Sequence, residues 1–325
     1  MRPSLQAPFR PHPVCFLVLL ILLVVASTVR VQADAASDAI DRGRAWLEQG
    51  QTRRAIESFS RAIYIHPRDA QAYILRGQAR LQAGELGKAL ADVDRAVQLA
   101  PAAAFPYLVR GQVRVRMGEV HLAVDDLTRA IDRDAEQVEA WMGRGALYER
   151  EWASLPRALD DYGHAVALRP SEPLPRLRRA AVLVRLERFD AALADLDVAV
   201  RLAPELALAW AERGRARLRM RDFPNALADE TRALELAPQY AQARLLRGRA
   251  LLGLGRWADA ERQLSDYLRL CARDAEGWRC RAEAWGALGR RDLAEEDRRE
   301  AARLTPDDGP GRTDATTRNF NQGHE

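Results

Sequence analysis

Residues 70–103, AQAYILRGQARLQAGELGKALADVDRAVQLAPAA, and residues 207–240, ALAWAERGRARLRMRDFPNALADETRALELAPQY, carry one pattern at one spacing. In each, glycine stands eighth (Gly77, Gly214), alanine twentieth (Ala89, Ala226) and twenty-seventh (Ala96, Ala233), and proline thirty-second (Pro101, Pro238). The spacing runs on in both directions. Prolines recur at Pro67, Pro101, Pro170, Pro204, Pro238 and Pro306, and Ala135 and Ala272 stand where two more belong. Eight repeats follow: 36–69, 70–103, 104–137, 138–172, 173–206, 207–240, 241–274 and 275–308, with one extra residue in the fourth, within 151–156. Position eight is Gly or Ala from Gly43 to Ala282, and position twenty is alanine from Ala55 to Ala294. Position twenty-seven departs from alanine only at Tyr267. Small side chains at these points let two antiparallel helices cross closely, while leucine and aromatic neighbours at helical spacing fill the seam. Gly50, Gly84, Gly118, Gly255 and Gly289 fall between the two helices, where a left-handed residue ends the first. Proline stops the second. The expectation is an all-α protein, an α-solenoid of stacked helix pairs over 34–308, and one solenoid in place of the two compact domains that 325 residues suggest.

The columns closely resemble the tetratricopeptide repeat family over 273 of the 325 residues. Beside the small-residue columns, position four gives Tyr73, Tyr107, Trp141, Trp210 and Trp278, and position twenty-four gives Phe59, Leu127, Tyr162 and Leu264. Arg176 and Arg244 break the first of these columns; Glu230 and Arg298 break the second. The resemblance implies a right-handed superhelix whose concave groove is lined by positions 2, 5, 6, 9, 12 and 13 of the first helices, and whose stability is built from nearest-neighbour contacts.

Carried onto those positions, the resemblance makes a groove with a row of arginines at position 13: Arg116, Arg150, Arg185 and Arg219. Arg215 and Arg249 at position 9 add charge, and Phe105, Leu108, Leu174, Leu177, Leu208 and Leu245 at positions 2 or 5 supply apolar surface. Guanidinium forks suit carboxylates, so the groove reading is a protein partner presenting an acidic or C-terminal peptide. Two bland readings stand beside it: arginines solvated on a helix face, and leucines packed between repeats. The corresponding alternative function is an architectural, self-associating protein of the cell envelope.

Other signals are structural. Arginine occupies position seven in every repeat, Arg42, Arg76, Arg110, Arg144, Arg179, Arg213, Arg247 and Arg281, and aspartate occupies position twenty-three in six: Asp92, Asp126, Asp161, Asp195, Asp229 and Asp297. Such regularity points to a repeated ion pair between helices. The lengthened turn with Trp152 is either a local packing feature or an aromatic partner contact. Cys271 and Cys280 either form a disulfide that staples the last repeat or remain two independent thiols.

With 48% hydrophobic residues the chain has ample apolar surface for a core despite a charged fraction of 30%. The net charge of +4 rests largely on Arg2, Arg10 and Arg30 near the N-terminus, so global basicity gives no reason to expect a nucleic-acid partner. Val14–Ala26 is unbroken apolar sequence after a basic, acid-free start, and Ala33 precedes Asp34. Residues 1–33 therefore read as a signal peptide, or as an uncleaved anchor; either places the repeats outside the cytoplasm, periplasmic, secreted or membrane-anchored. Residues 309–325 are polar and are expected to be disordered. His66, His121, His164 and His324 lack metal-ligand spacing, and Gly84-Glu85-Leu86-Gly87-Lys88 lacks the glycine and the Ser/Thr of a phosphate loop. No catalytic constellation, cofactor, metal site or small-molecule substrate is expected.

Overall fold

The structure, a computed structural model, describes residues 34–305. The export segment expected over 1–33 and the tail expected over 309–325 lie outside the described residues. Among the described residues there are sixteen α-helices, one 3-10 turn and no strand, the all-α helix-pair architecture that the columns predict. The chain divides between Tyr148 and Glu149 into two units. That division falls inside the expected fourth repeat, at the turn with the extra residue. The N-terminal unit holds α1 (34–48), α2 (Thr52–Ile65), α3 (Ala70–Gln82), α4 (Leu86–Leu99), α5 (Ala104–Met117), α6 (Val120–Arg133) and α7 (Val138–Tyr148). The C-terminal unit opens with the 3-10 turn Trp152–Ser154 and continues with α8 (Leu155–Leu168), α9 (Pro173–Arg185), α10 (Phe189–Leu202), α11 (Ala207–Arg219) and α12 (Phe223–Leu236). It ends with α13 (Ala241–Gly253), α14 (Trp257–Leu270), α15 (Ala275–Ala287) and α16 (Arg291–Leu304).

Within each unit the small-residue columns do what their spacing predicts. Alanines of column twenty are buried, and the glycines of column eight face the bulky residue of column twenty-four. At Gly248 an added Cβ would come within 2.7 Å of Leu264, so the two helices approach only because that atom is missing. Tyr267, the departure at column twenty-seven, is accommodated by a second departure: a Cβ on Gly277 would lie 2.6 Å from its ring. Its hydroxyl donates to Asp274 Oδ2 at 2.6 Å, which caps α15 by accepting from the Glu276 and Gly277 amides.

The helix ends have more than one cause. Gly50, Gly84, Gly118, Gly255 and Gly289 all have φ between 70° and 80°, the left-handed conformation expected there. Glu187 and Arg221 occupy the same place at φ 56° and 60°, where a side chain costs roughly 1 kcal/mol. Prolines turn out not to be needed for the second helices to stop, since α6 and α14 end in step with the others although Ala135 and Ala272 follow. The side chain at position four fixes this turn by donating to the main-chain oxygen six residues earlier: Trp141 to Ala135 at 2.8 Å, Trp210 to Pro204 at 2.9 Å, Trp278 to Ala272 at 2.8 Å and Tyr107 to Pro101 at 3.2 Å. Arg176 and Arg244, which break the aromatic column, make the same donation to Pro170 and Pro238. The column selects a long side chain with a donor at its tip.

Candidate interaction surface

The arginine column is an internal lattice. Arg76 grips Asp92 through Nε and Nη2 at 2.9 and 2.7 Å, and the same fork recurs at Arg110–Asp126, Arg179–Asp195, Arg213–Asp229 and Arg281–Asp297, all between 2.6 and 3.0 Å. The remaining nitrogen, Nη1, reaches back to the preceding second helix: to Ser60 from Arg76, Asp94 from Arg110, Thr128 from Arg144, Asp197 from Arg213 and Ser265 from Arg281. Each of these guanidinium groups except that of Arg179 thus bonds into the preceding second helix. A further arginine four residues on, Arg80, Arg114 or Arg217, closes on the same aspartate at 2.6–2.7 Å. The aspartates are buried, so each fork satisfies charge that burial would otherwise penalise. The acceptors at position twenty-five and the second arginines at position eleven were missed in the sequence, although both recur at fixed offsets, 16 and 12 residues, from their partners.

The proposed groove residues divide. In the N-terminal unit, Arg116 and Phe105 are exposed, but Leu108 is not: it is 3% exposed and sits in the core with Leu127 and Ile131. Leu177 and Leu245 of the C-terminal unit are likewise core residues. The apolar surface expected at position five is therefore corrected to the core, because that position faces the following helix pair; position two remains outward at Phe105, Leu174 and Leu208. In the C-terminal unit, Arg150 is exposed and lies in the turn before Trp152, outside any helix. Arg185 donates to the Glu149 main-chain oxygen and lies 5.6 Å from the centre of the Trp152 ring. Arg219 lies 3.6 Å from Glu187, Arg215 pairs with Glu212 at 3.1 Å, and Arg249 pairs with Glu276 at 2.8 Å. Four of the six arginines are thus engaged within the chain. Three of them, Arg215, Arg219 and Arg249, face glutamates that the periodicity did not single out.

Buried carboxyls accompany them. Glu230, which replaces the usual Leu or aromatic at column twenty-four, is fully buried against Gly214, and neither carboxyl oxygen has a hydrogen-bond partner. Burial pushes its pKa up to about 10, reinforced by Asp229 and opposed by Arg215. Burial also raises Glu212, opposed by Arg215 and Arg178. Tyr162 is buried and donates to Glu149 Oε2 at 2.8 Å, so burial first and then that carboxylate hold its phenol far above its ordinary range.

Trp152 remains 61% exposed, with the Arg185 guanidinium over its ring, so it is not a packed core residue. Cys271 and Cys280 are free thiols, both partly buried in the cluster around Leu264 and Leu268. The disulfide reading is corrected to two independent thiols, and burial pushes the Cys280 thiol up to about 12.

Residues 40–104, 108–173, 177–241 and 211–275 match the tetratricopeptide repeat model, which covers well over half of the chain. The chain belongs to the tetratricopeptide repeat family. Among solved structures it is similar to the Cut9–Hcn1 hetero-tetramer of the APC/C at 20% identity and a TM-score of 0.60, with 78% of this chain aligned to 50% of that one. Its match thus spans half the length of that chain. It is also similar to a tetratricopeptide repeat protein from Parabacteroides merdae ATCC 43184 at 17% identity and a TM-score of 0.56, over 82% of this chain and 99% of that one. PilF from Pseudomonas aeruginosa aligns at 17% identity and a TM-score of 0.58, over 66% of this chain and 96% of that one. These likenesses show a common fold. No curated protein matches the chain. Tetratricopeptide repeats are typically non-catalytic scaffolds that bind protein or peptide partners.

Proposed function

We propose that this chain is an exported interaction scaffold of eight tetratricopeptide repeats that holds a protein or peptide segment against its first helices and catalyses nothing. The observation that carries the reading is the outward apolar column at position two. Leu174 and Leu208 are 47% and 36% exposed on α9 and α11, at the same register. Arg178 lies one helical turn beyond Leu174, and Glu212 and Arg215 lie one and two turns beyond Leu208. Apolar anchors beside charged groups are what a peptide-binding face needs. Because Arg215 and Arg249 already face Glu212 and Glu276, an acidic segment on the C-terminal unit binds by taking over arginines from internal acids, with exposed Arg150 available without exchange. Export rests on the basic, then apolar, sequence of residues 1–33.

Capture from envelope fractions, with the partner identified by mass spectrometry, tests the reading. The native chain is compared with Leu174→Glu/Leu208→Glu and with Arg150→Glu. Loss of the same partner in both variants, at unchanged helicity, is the expected result. Unchanged capture in both abandons the first-helix face, and concentration-dependent oligomers by light scattering would then favour architectural self-association. Sequencing the mature N-terminus tests export directly: a start at Asp34 is expected for a cleaved signal.

A further inference from the structure

The arginine lattice fails in one place inside the C-terminal unit, and the failure leaves a cavity. Arg247 on α13 occupies the column in which Arg179, Arg213 and Arg281 grip an aspartate, but the residue sixteen positions on is Gln263. The aromatic that lies beneath the corresponding guanidinium elsewhere, Trp210 under Arg213 at 4.9 Å and Trp278 under Arg281 at 4.8 Å, is replaced by Arg244. Thr231, sixteen residues earlier, donates its hydroxyl to Leu227 O and leaves Arg247 without that contact too. Arg247 forms no hydrogen bond or ion pair among the described residues; burial, Arg244 and Arg256 disfavour its charge, in that order, and Asp259, at a longer range than an ion pair, favours it less strongly. Arg42, the other member of the column without an aspartate, is exposed at the first helix and donates to Asp38 O.

A cavity of about 280 Å3 lies beside Arg247, walled by Thr231, Leu251, Gln263, Arg256 and Arg262. Gln263 is only 8% exposed, and its amide has no hydrogen-bond partner among the described residues. Two acids border the space, yet both are engaged: Asp259 accepts from Arg256 at 2.6 and 2.9 Å and lies 3.7 Å from Arg262, and Asp266 accepts from Arg269 at 2.9 Å. A planar fork is therefore held at the edge of an open space with its usual acid absent and the unpartnered amide of Gln263 among the residues that line that space.

We propose that this cavity between α12, α13 and α14 binds a carboxylate, which takes the place of the missing aspartate on Arg247 and accepts a further hydrogen bond from the Gln263 amide. A carboxylate is favoured over other anions because the same fork in this chain already binds planar carboxylates through Nε and Nη2. The site is separate from the first-helix face, so it stands or falls independently of the partner-binding reading. The carboxylate comes either from a small organic acid or from an acidic side chain of another polypeptide, and the two sources are separable.

The experiment follows the Arg247 Nε–H resonance in 15N-arginine-labelled full-length protein during titration with sodium acetate, with an Asp-containing tripeptide blocked at both ends, and with sodium chloride at matched ionic strength. A saturable shift with acetate points to the small-acid source; saturation with the tripeptide alone points to a polypeptide source. Either supports the site. Gln263→Asp supplies the acid internally: its Arg247 resonance should start at the shifted position and lose the response at least tenfold. Because that variant recreates a pair present elsewhere in the chain, it should also melt at a higher temperature, which guards against misfolding as the cause. A response no different from chloride with both probes, or a Gln263→Asp variant that titrates like the native chain, overturns the proposal.

Discussion

Glu230 should be a destabilising residue, and its cost should depend on pH with a definite sign. Its carboxyl is fully buried, neither oxygen has a partner, and its pKa is pushed from 4.5 up to about 10 by burial and then Asp229. The folded chain therefore keeps this proton through neutrality, whereas the unfolded chain releases it above about pH 4.5. A raised carboxyl favours folding least where the unfolded state is ionised. Stability from this group is complete below the unfolded value and declines as pH rises toward 10, at about 1.4 kcal/mol per pH unit. At pH 7 the accumulated cost is about 3 kcal/mol, a large share of the stability of a typical domain. Leu127 and Leu264 fill the same position against Gly111 and Gly248, so a leucine fits the space that Gly214 leaves. Glu230→Leu should raise the unfolding free energy by about 3 kcal/mol at pH 7. The assay is urea denaturation followed by circular dichroism at pH 5.5, 6.5 and 7.5, for the native chain, Glu230→Leu and Glu230→Gln. Taking the difference from Glu230→Gln removes titrations common to all three, and that difference should widen by about 2–3 kcal/mol across the range. A flat difference, or a Glu230→Leu chain no more stable than the native one at pH 7, would refute the reasoning.

Asp126 receives Arg110 and Arg114 and is fully buried. Asp126→Asn should cost about 3–5 kcal/mol in urea denaturation of the N-terminal unit, because two guanidinium groups lose the buried carboxylate they share. Arg221 is exposed at φ 60°, so Arg221→Gly should stabilise by about 0.5–1 kcal/mol, read as a higher midpoint at unchanged slope. Gly277→Ala should destabilise by about 1–3 kcal/mol through the 2.6 Å approach to the Tyr267 ring. Adding Tyr267→Ala should recover part of that loss, and a strictly additive double mutant would separate the two residues.

The fold was legible because helix-pair packing repeats its steric demands every 34 residues, so Gly77 and Gly214 or Ala89 and Ala226 reveal themselves by position alone. The lattice was half legible. Arg76 and Asp92 share a column offset of 16, but their use of Ser60 behind and Arg80 beside them required three-dimensional register between successive pairs. The interaction face was least legible. Arg185 and Arg219 share a column, yet one is bound by a main-chain oxygen and the other lies near Glu187, because their surroundings come from turns and neighbours that the period does not constrain. Leu108 and Leu174 look alike in sequence; standing at position five rather than position two of the first helix sends the former into the core and leaves the latter outside.

The regularity that makes the fold readable also determines where specific chemistry can occur. Where the lattice is intact, Arg110 or Arg213 spends all three nitrogens on acceptors within the chain, and the buried aspartate is satisfied in turn, so neither charge is left for a ligand. Within the lattice, charge becomes available only where a column is broken. At Gly163, a missing acceptor side chain behind Arg179 borders a cleft of about 740 Å3, but Asp195 still holds that guanidinium through two nitrogens. At Gln263 the acid itself is missing, and Arg247 has neither fork partner nor aromatic support. At Glu230 the substitution runs the other way, placing an acid where the column calls for a hydrocarbon, and the chain bears its cost in the same unit. A family defined by its repeats therefore supplies this chain with its scaffold, and the positions at which the repeats disagree supply the places where it can be singled out by another molecule.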